Sequence, residues 1–310
     1  MQYIYPDYYE YFHCIAGRCT HNCCIGWEID VDPETLAFYD TVPGELGRRL
    51  REQIDREGEP HFRLGAQDRC PFLNDENLCE IITALGEEHL CGICARHPRF
   101  YHEVDGGVEV GLGLCCEEAA RLILGWEAPV DLLGRTGEAE PLVVLRDRAV
   151  RILQQRSLPL EQRVAELLSL CGAGEIDWDM SLWAQRLLSL ERLDEGWTEL
   201  LLLLRSSGKT APVEEFLCYM GEREREYEQL LVYLIYRHLV EAWDELDAAC
   251  RAAFAVLGYR VIRCLGAILW QKTGRFSFEE QVELARMFSA EIEYSDENVE
   301  KLLVMLEEMI

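Results

Sequence analysis

Ten of the 14 cysteines in this chain fall within its first 116 residues, and they fall in pairs and tight runs. The densest run is Cys14, Cys19, Cys23 and Cys24; Cys70 and Cys79, Cys91 and Cys94, and Cys115 with Cys116 follow. The chain opens MQYIYPDYYEYFHC, with no basic start followed by an apolar stretch, so the expectation is a cytoplasmic protein. Cytosolic thiols stay reduced, and clustered cysteines there bind metal or do redox chemistry more often than they form disulfides. Thiolates are soft ligands for zinc, copper(I) and iron–sulfur clusters. Four of them are enough for a structural zinc or for a [4Fe–4S] cluster.

The spacing excludes two familiar patterns. Cys19-x3-Cys23 followed at once by Cys24 is neither a pair of separated Cys-x2-Cys knuckles nor a Cys-x3-Cys-x2-Cys run. Cys91-x2-Cys94 is a fair knuckle on its own. His13, His21 and His97 lie near the cysteines and read as polar loop residues before they read as ligands. Cys171, Cys218, Cys250 and Cys264 sit singly in apolar helical contexts and read as core.

The elements that must position these cysteines are short. Asp32-Pro33 is a helix start, with Asp as cap and Pro in the first turn, and a second start lies at Pro43. His97 to Leu114 reads as a hairpin turning at Asp105-Gly106-Gly107. Cys115-Cys116 leads directly into a helix predicted over Glu117 to Leu124. A metal at such joints compensates for a small hydrophobic core. From about residue 140 onward apolar residues recur at three- and four-residue steps, as at Leu230, Leu231, Leu234, Ile235 and Leu239. Helices are predicted over Glu245 to Trp270, Phe278 to Glu291 and Asp296 to Met309, the last capped by Ser295. Glu127-Ala-Pro-Val and Gly134-Arg-Thr-Gly137 read as the connection between the two regions. The fold class is therefore mainly α: a Cys-rich, metal-stapled region over 1–130 with short helices and a β-hairpin, packed on an all-helical bundle over 131–310.

At 310 residues and 49% hydrophobic content, a sizeable core is available. No run of about 18 uninterrupted apolar residues marks a membrane span. The formal net charge of −27 argues against nucleic acid as the main partner, because phosphate contacts need clustered Lys and Arg. It suits solubility, and it suits a basic, lysine-bearing protein surface.

Several stretches together resemble the flagellin lysine-N-methylase (FliB-type) family and the wider set of cysteine-cluster iron or zinc proteins. They are FHCIAGRCTHNCCIGWEIDVDPET, RCPFLNDENLCEIITALGEEHLCGICARHPRF, VGLGLCCEEAARLIL, YLIYRHLVEAW from Tyr233, and EIEYSDENVEKLL. Carried over position by position, the family's cysteines are Cys14, Cys19, Cys23, Cys24, Cys70, Cys79, Cys94 and Cys116. Cys91 and Cys115 depart from the pattern, which has small residues there. The resemblance implies a [4Fe–4S] cluster, with zinc as the alternative metal, and methyl transfer from S-adenosylmethionine to lysine amines of flagellin or another lysine-bearing protein.

That chemistry needs a neutral amine aligned with the methyl sulfonium and a group to handle its proton. Candidates are Glu291, Glu293 and Tyr294 near the C-terminus and Tyr233 and Tyr236 on the middle helix, with Tyr233, Arg237 and Glu293 the catalytic set. Arg237 suits a carboxylate clamp for the cofactor, with His238 and Glu291 beside it. The plainer reading pairs Arg237 with Glu241 one turn on. Gly111-x-Gly113 is too short for a nucleotide-binding glycine loop, so a Rossmann methyltransferase is not supported. Two other functions fit the cysteines: a non-catalytic module that stores, delivers or senses metal, and a helical binding protein stapled by zinc.

Overall fold

The computed structural model describes residues 2–136 and 139–310. The chain divides into two units, one of residues 13–99 and one of residues 1–12 with 100–310. The expected boundary near residue 130 falls inside the second unit. The reason is strand pairing between distant segments: Tyr3–Pro6 runs parallel to Gly107–Leu112, with Tyr3 opposite Val108, and antiparallel to Leu132–Leu133. The predicted connection thus carries an edge strand, while its last residue, Gly137, lies outside the described residues.

The 13–99 unit is built of short pieces. Asp32 caps the helix Pro33–Thr41 by accepting from the Thr35 amide at 3.0 Å, as its sequence signal implies. The helix Gly44–Gln53 follows, and Ile54–Asp55 pairs with His61–Phe62. The core is small: Ile29, Val31, Tyr39, Leu50, Phe62, Phe72 and Ile81, with Cys70 and Cys91 among them.

The larger unit is mainly helical around a four-stranded sheet that includes the hairpin Arg99–Val104 and Gly107–Leu112. Its central element is the helix Glu245–Thr273, against which Arg225–His238, Phe278–Phe288 and Asp296–Glu307 pack. That central helix is long and apolar enough to cross a bilayer, yet 89% of its most apolar window is buried inside the protein. It is a core helix. Of the four cysteines expected in the core, Cys171, Cys250 and Cys264 are buried and Cys218 is exposed, because its helix Val213–Met220 buries the face of Phe216 and Met220 instead. The helix predicted to run to Glu291 stops at Phe288. A π-helical turn, Ser289–Glu293, follows it. Such turns place an extra residue in the helical register and are frequent at functional sites.

Candidate functional site

The helix Arg225–His238 ends with three of the expected residues, and the π-helical turn supplies their partner. Glu293 is fully buried as a side chain and accepts from Tyr233 Oη at 3.1 Å. His238 Nε2 is 2.7 Å from Glu293 Oε1. Arg237 Nη1 donates to Tyr233 Oη at 2.9 Å, and Arg237 Nε stands 3.7 Å from Glu293 Oε1. Burial pushes the Glu293 carboxyl up, but Arg237 and His238 outweigh it and hold the group below the usual glutamate range. Arg237 therefore pairs across the fold with Glu293, not along the helix with Glu241. Glu241 is engaged by Arg251 at 2.7 Å.

Arg237 is also held by rings. Its guanidinium lies 4.5 Å from the Tyr294 ring centre and 5.1 Å from that of Phe100. Gly111 and Gly113 make this possible. A Cβ on Gly111 would fall onto the Phe100 ring, and one on Gly113 would fall onto the Tyr294 hydroxyl. The two glycines are close-approach positions under the site. Burial pushes the neighbouring Cys115 thiol up to about 12, with Tyr294 hydrogen-bonded to it.

Three members of this group face a cleft of about 510 Å³. Arg237, His238 and Glu293 line it together with Glu241, Asp244, Asp247, Arg251, Asp296 and Glu300, and Trp243 stands at its wall, 78% exposed. The lining is predominantly acidic. Desolvation raises the Glu241 carboxyl, but His238, His102 and Arg251 outweigh it and bring the group down to about 2. At neutral pH the cleft thus presents several carboxylates, which favours a cationic guest.

Two expected site residues lie elsewhere. Glu291 accepts from the backbone amides of Leu193 and Asp194 at 2.9 and 3.0 Å, bracing the start of the helix Glu195–Ser207. Tyr236 donates to the carbonyls of Ile4 and Val110 under the sheet. Sequence reasoning missed Trp243, Asp247, Arg251 and His102. The one available signal was the Trp243-Asp244 pair just ahead of an apolar helix, where Asp244 is the cap.

In the 13–99 unit the cysteines are free thiols. Cys23 is hydrogen-bonded to Cys24, which pulls its thiol down to about 7, and Cys91 is hydrogen-bonded to Cys94. Cys70 and Cys79 add to the field that raises Cys24, and Cys24 and Cys70 to the field that raises Cys94. Six thiols from separate segments thus share one electrostatic neighbourhood, and Cys91, which departs from the expected pattern, is one of them. Cys14 is exposed, its sulfur accepting from the Ala16 amide at 3.4 Å, Cys19 donates to the His21 carbonyl at 3.2 Å, and Cys116 belongs to the other unit. Among the described residues no three His, Cys, Asp or Glu side chains stand close enough to hold a metal ion. The donor chemistry of the six thiols nevertheless fits a thiophilic centre.

The profile of the FliB lysine N-methylase C-terminal domain matches residues 180–310, a segment that contains Tyr233, Arg237, His238, Glu293 and most of the cleft. Over this segment the chain is similar to the FliB-type lysine-N-methylases. Over 126 residues it is 28% identical to the flagellar biosynthetic protein FliU of Salmonella muenchen, a match that covers 38% of this chain and 75% of that protein. It is 29% identical over 127 residues to the lysine-N-methylases of Salmonella choleraesuis and of Salmonella typhimurium, covering 38% of this chain. The chain spans 31% of the length of those two relatives. No solved structure matches it.

Proposed function

We propose that this FliB-type chain is a cytoplasmic protein-lysine N-methyltransferase that uses S-adenosylmethionine, with flagellin as its substrate. The observation that carries the reading is the buried Arg237–Tyr233–Glu293–His238 network, which lies inside the segment matched by the family profile and contributes Arg237, His238 and Glu293 to the wall of an acidic cleft. A lysine side chain is a flexible cation, and an acidic cleft with an exposed indole at its wall suits it by charge and by cation–π contact.

Each residue of the network has a task that follows from its geometry. Glu293 holds the imidazole of His238 through Nε2. Arg237 and Tyr233 hold Glu293, and the rings of Phe100 and Tyr294 hold Arg237. The carboxylates of the cleft attract and orient the lysine ammonium. S-adenosylmethionine supplies the electrophilic methyl group.

The cysteines enter separately. Cys23, Cys24, Cys70, Cys79, Cys91 and Cys94 are the residues that would hold a [4Fe–4S] cluster, or zinc in its place. Such a centre would tie together segments whose own core is small.

The test begins with anaerobic purification and joint measurement of iron, acid-labile sulfide and zinc, followed by intact-mass analysis of flagellin incubated with the chain and S-adenosylmethionine. Additions of 14 mass units on lysine support the reading (about one methyl each). Unchanged flagellin beside a methylated positive control overturns it. Metal-loaded chain without transfer would favour the metal-storage module.

A further inference from the structure

The His238 ring lies at the wall of the cleft and is 4% exposed, so nearly all of it is inside the protein. Its two nitrogens have different surroundings. Nε2 is 2.7 Å from the Glu293 carboxylate, an acceptor only, so the proton of the neutral ring belongs on Nε2. Nδ1 is buried and has no hydrogen-bond partner among the described residues. Glu241 Oε2 stands 3.9 Å from it, beyond hydrogen-bond reach, and Glu241 is itself part of the cleft lining. With the proton on Nε2, the hydrogen-bond network leaves a lone pair on Nδ1, the nitrogen nearer the cleft-lining Glu241. A buried lone pair without a donor is costly, and it is satisfied as soon as an N–H arrives.

We propose that His238 is the general base of methyl transfer, taking the proton from the ammonium of the substrate lysine through Nδ1. The inference rests on the lysine-methyltransferase reading and gives that site its base. The steps balance. The Nδ1 lone pair takes one proton from the lysine Nζ, leaving a neutral amine and an imidazolium. The freed Nζ pair attacks the methyl carbon of the sulfonium donor. The carbon–sulfur bond breaks with its electron pair going to sulfur, which becomes a neutral thioether, and Nζ becomes a methylammonium. The imidazolium then gives its proton to water.

The surroundings suit a base that must become cationic. Glu293 from the π-helical turn and Glu241 face the ring, and Asp247 lies on the central helix beside them. Arg237 on the same helix and Arg251, which donates to the His238 carbonyl, set the opposing charge, while burial keeps the nearby His102 of the hairpin toward its neutral form. Phe254 covers the ring edge-on at 4.9 Å. In this arrangement Glu293 is a positioning residue: it fixes the tautomer and steadies the imidazolium.

The experiment uses the full chain with S-adenosylmethionine and purified flagellin, and follows the first methyl transfer from pH 6 to 10 in wild type, His238→Gln and His238→Asn. The variants should fall about 100-fold at neutral pH, the usual scale of general-base catalysis. They should recover as rising pH deprotonates the lysine itself, and lose the rising limb that wild type shows at lower pH. Added imidazole should restore part of the rate. Variants that keep the wild-type rate and profile, while wild type is active, overturn the base assignment alone. A wild type that methylates nothing overturns the methyltransferase reading and the base with it. Nitrogen-15 spectra of histidine-labelled wild type give a readout independent of variant folding. The neutral ring should carry its proton on Nε2, and a proton found on Nδ1 would sink the proposal.

Discussion

Glu293 and His238 meet at 2.7 Å although 55 residues separate them, and the contact exists because the helix before Glu293 ends in a π-helical turn. An α-helical continuation through Ser289–Glu293 would present a different face to the helix Arg225–His238. The pair joins a buried carboxylate to a ring at a cleft wall, and Arg237 closes the group.

Removing Glu293 should be costly. Glu293→Ala leaves Arg237 and the ring without their carboxylate, and breaking one partner of a buried ionic group destabilises by about 3 to 5 kcal/mol. Glu293→Gln keeps the shape and an acceptor for Nε2, so it should unfold much closer to wild type in urea while still lowering kcat. The loss should fall mainly on kcat, because Glu293 acts on the reaction through the His238 ring that it holds. A Glu293→Ala variant as stable as wild type would show that the network carries little energy.

Gly113 should be intolerant of any side chain for one identifiable reason. Gly113→Ala places a methyl on the Tyr294 hydroxyl, and overpacking of this kind costs about 1 to 3 kcal/mol. In a Tyr294→Ala background the same change should be close to neutral. A double-mutant cycle by chemical denaturation measures the difference directly. Additive effects would mean that the ring is not what excludes the side chain.

Much of this architecture was legible from local signals and the rest was not, for reasons of range. The Asp32 cap, the hairpin turn at Gly106, the Ser295 cap and the start of the central helix are each encoded within a few residues, and each lies where the pattern put it. The pairing of Arg237 is different. Spacing along one helix offers Glu241, four residues on, whereas Glu293 is 56 residues away and reaches it only through the π-helical turn. Gly111-x-Gly113 is too short for a nucleotide-binding glycine loop, and nothing in its spacing shows the rings that rest on these two residues. Strand Tyr3–Pro6 pairs more than 100 residues along the chain, a partnership that no local signal near residue 130 carries. Composition sees only neighbours.

Acid should weaken the fold through Glu241 in a defined window. Its folded pKa, about 2, lies below the ordinary glutamate value of about 4.3. A carboxyl depressed on folding stabilises the folded state above its unfolded pKa, and that contribution is lost as pH falls through the folded one. The stability difference between wild type and Glu241→Gln should thus be full at pH 5 and shrink toward pH 2. Urea midpoints across that range report it. A difference independent of pH would mean that Glu241 acts by packing.

Cys91 should matter to metal uptake as much as Cys94, although the family pattern calls for a small residue there. The two thiols are hydrogen-bonded to each other and share the neighbourhood of Cys24 and Cys70. After anaerobic reconstitution, Cys91→Ser and Cys94→Ser should both hold less iron per chain than wild type, and Cys264→Ser, whose cysteine is buried in the other unit, should hold the wild-type amount. Removal of the metal by a chelator should lower the melting temperature of wild type more than that of either defective variant. Full iron in Cys91→Ser would return that position to a bystander.

Trp243 gives the most direct test of what the cleft recognises. An indole 78% exposed contributes little to the core, so Trp243→Ala should leave the melting temperature nearly unchanged. If it forms the cation–π face for an incoming lysine, its loss removes about 0.5 to 1 kcal/mol of binding, roughly a two- to five-fold rise in KM for flagellin. The chemical step should be untouched, so kcat stays near wild type. Trp243→Phe should recover part of the affinity, because the ring face is retained. Raising the salt concentration should raise KM for both forms, since the acidic cleft attracts a basic side chain through screened charge. A Trp243→Ala chain with unchanged KM and a lowered kcat would place the indole against the reacting atoms instead.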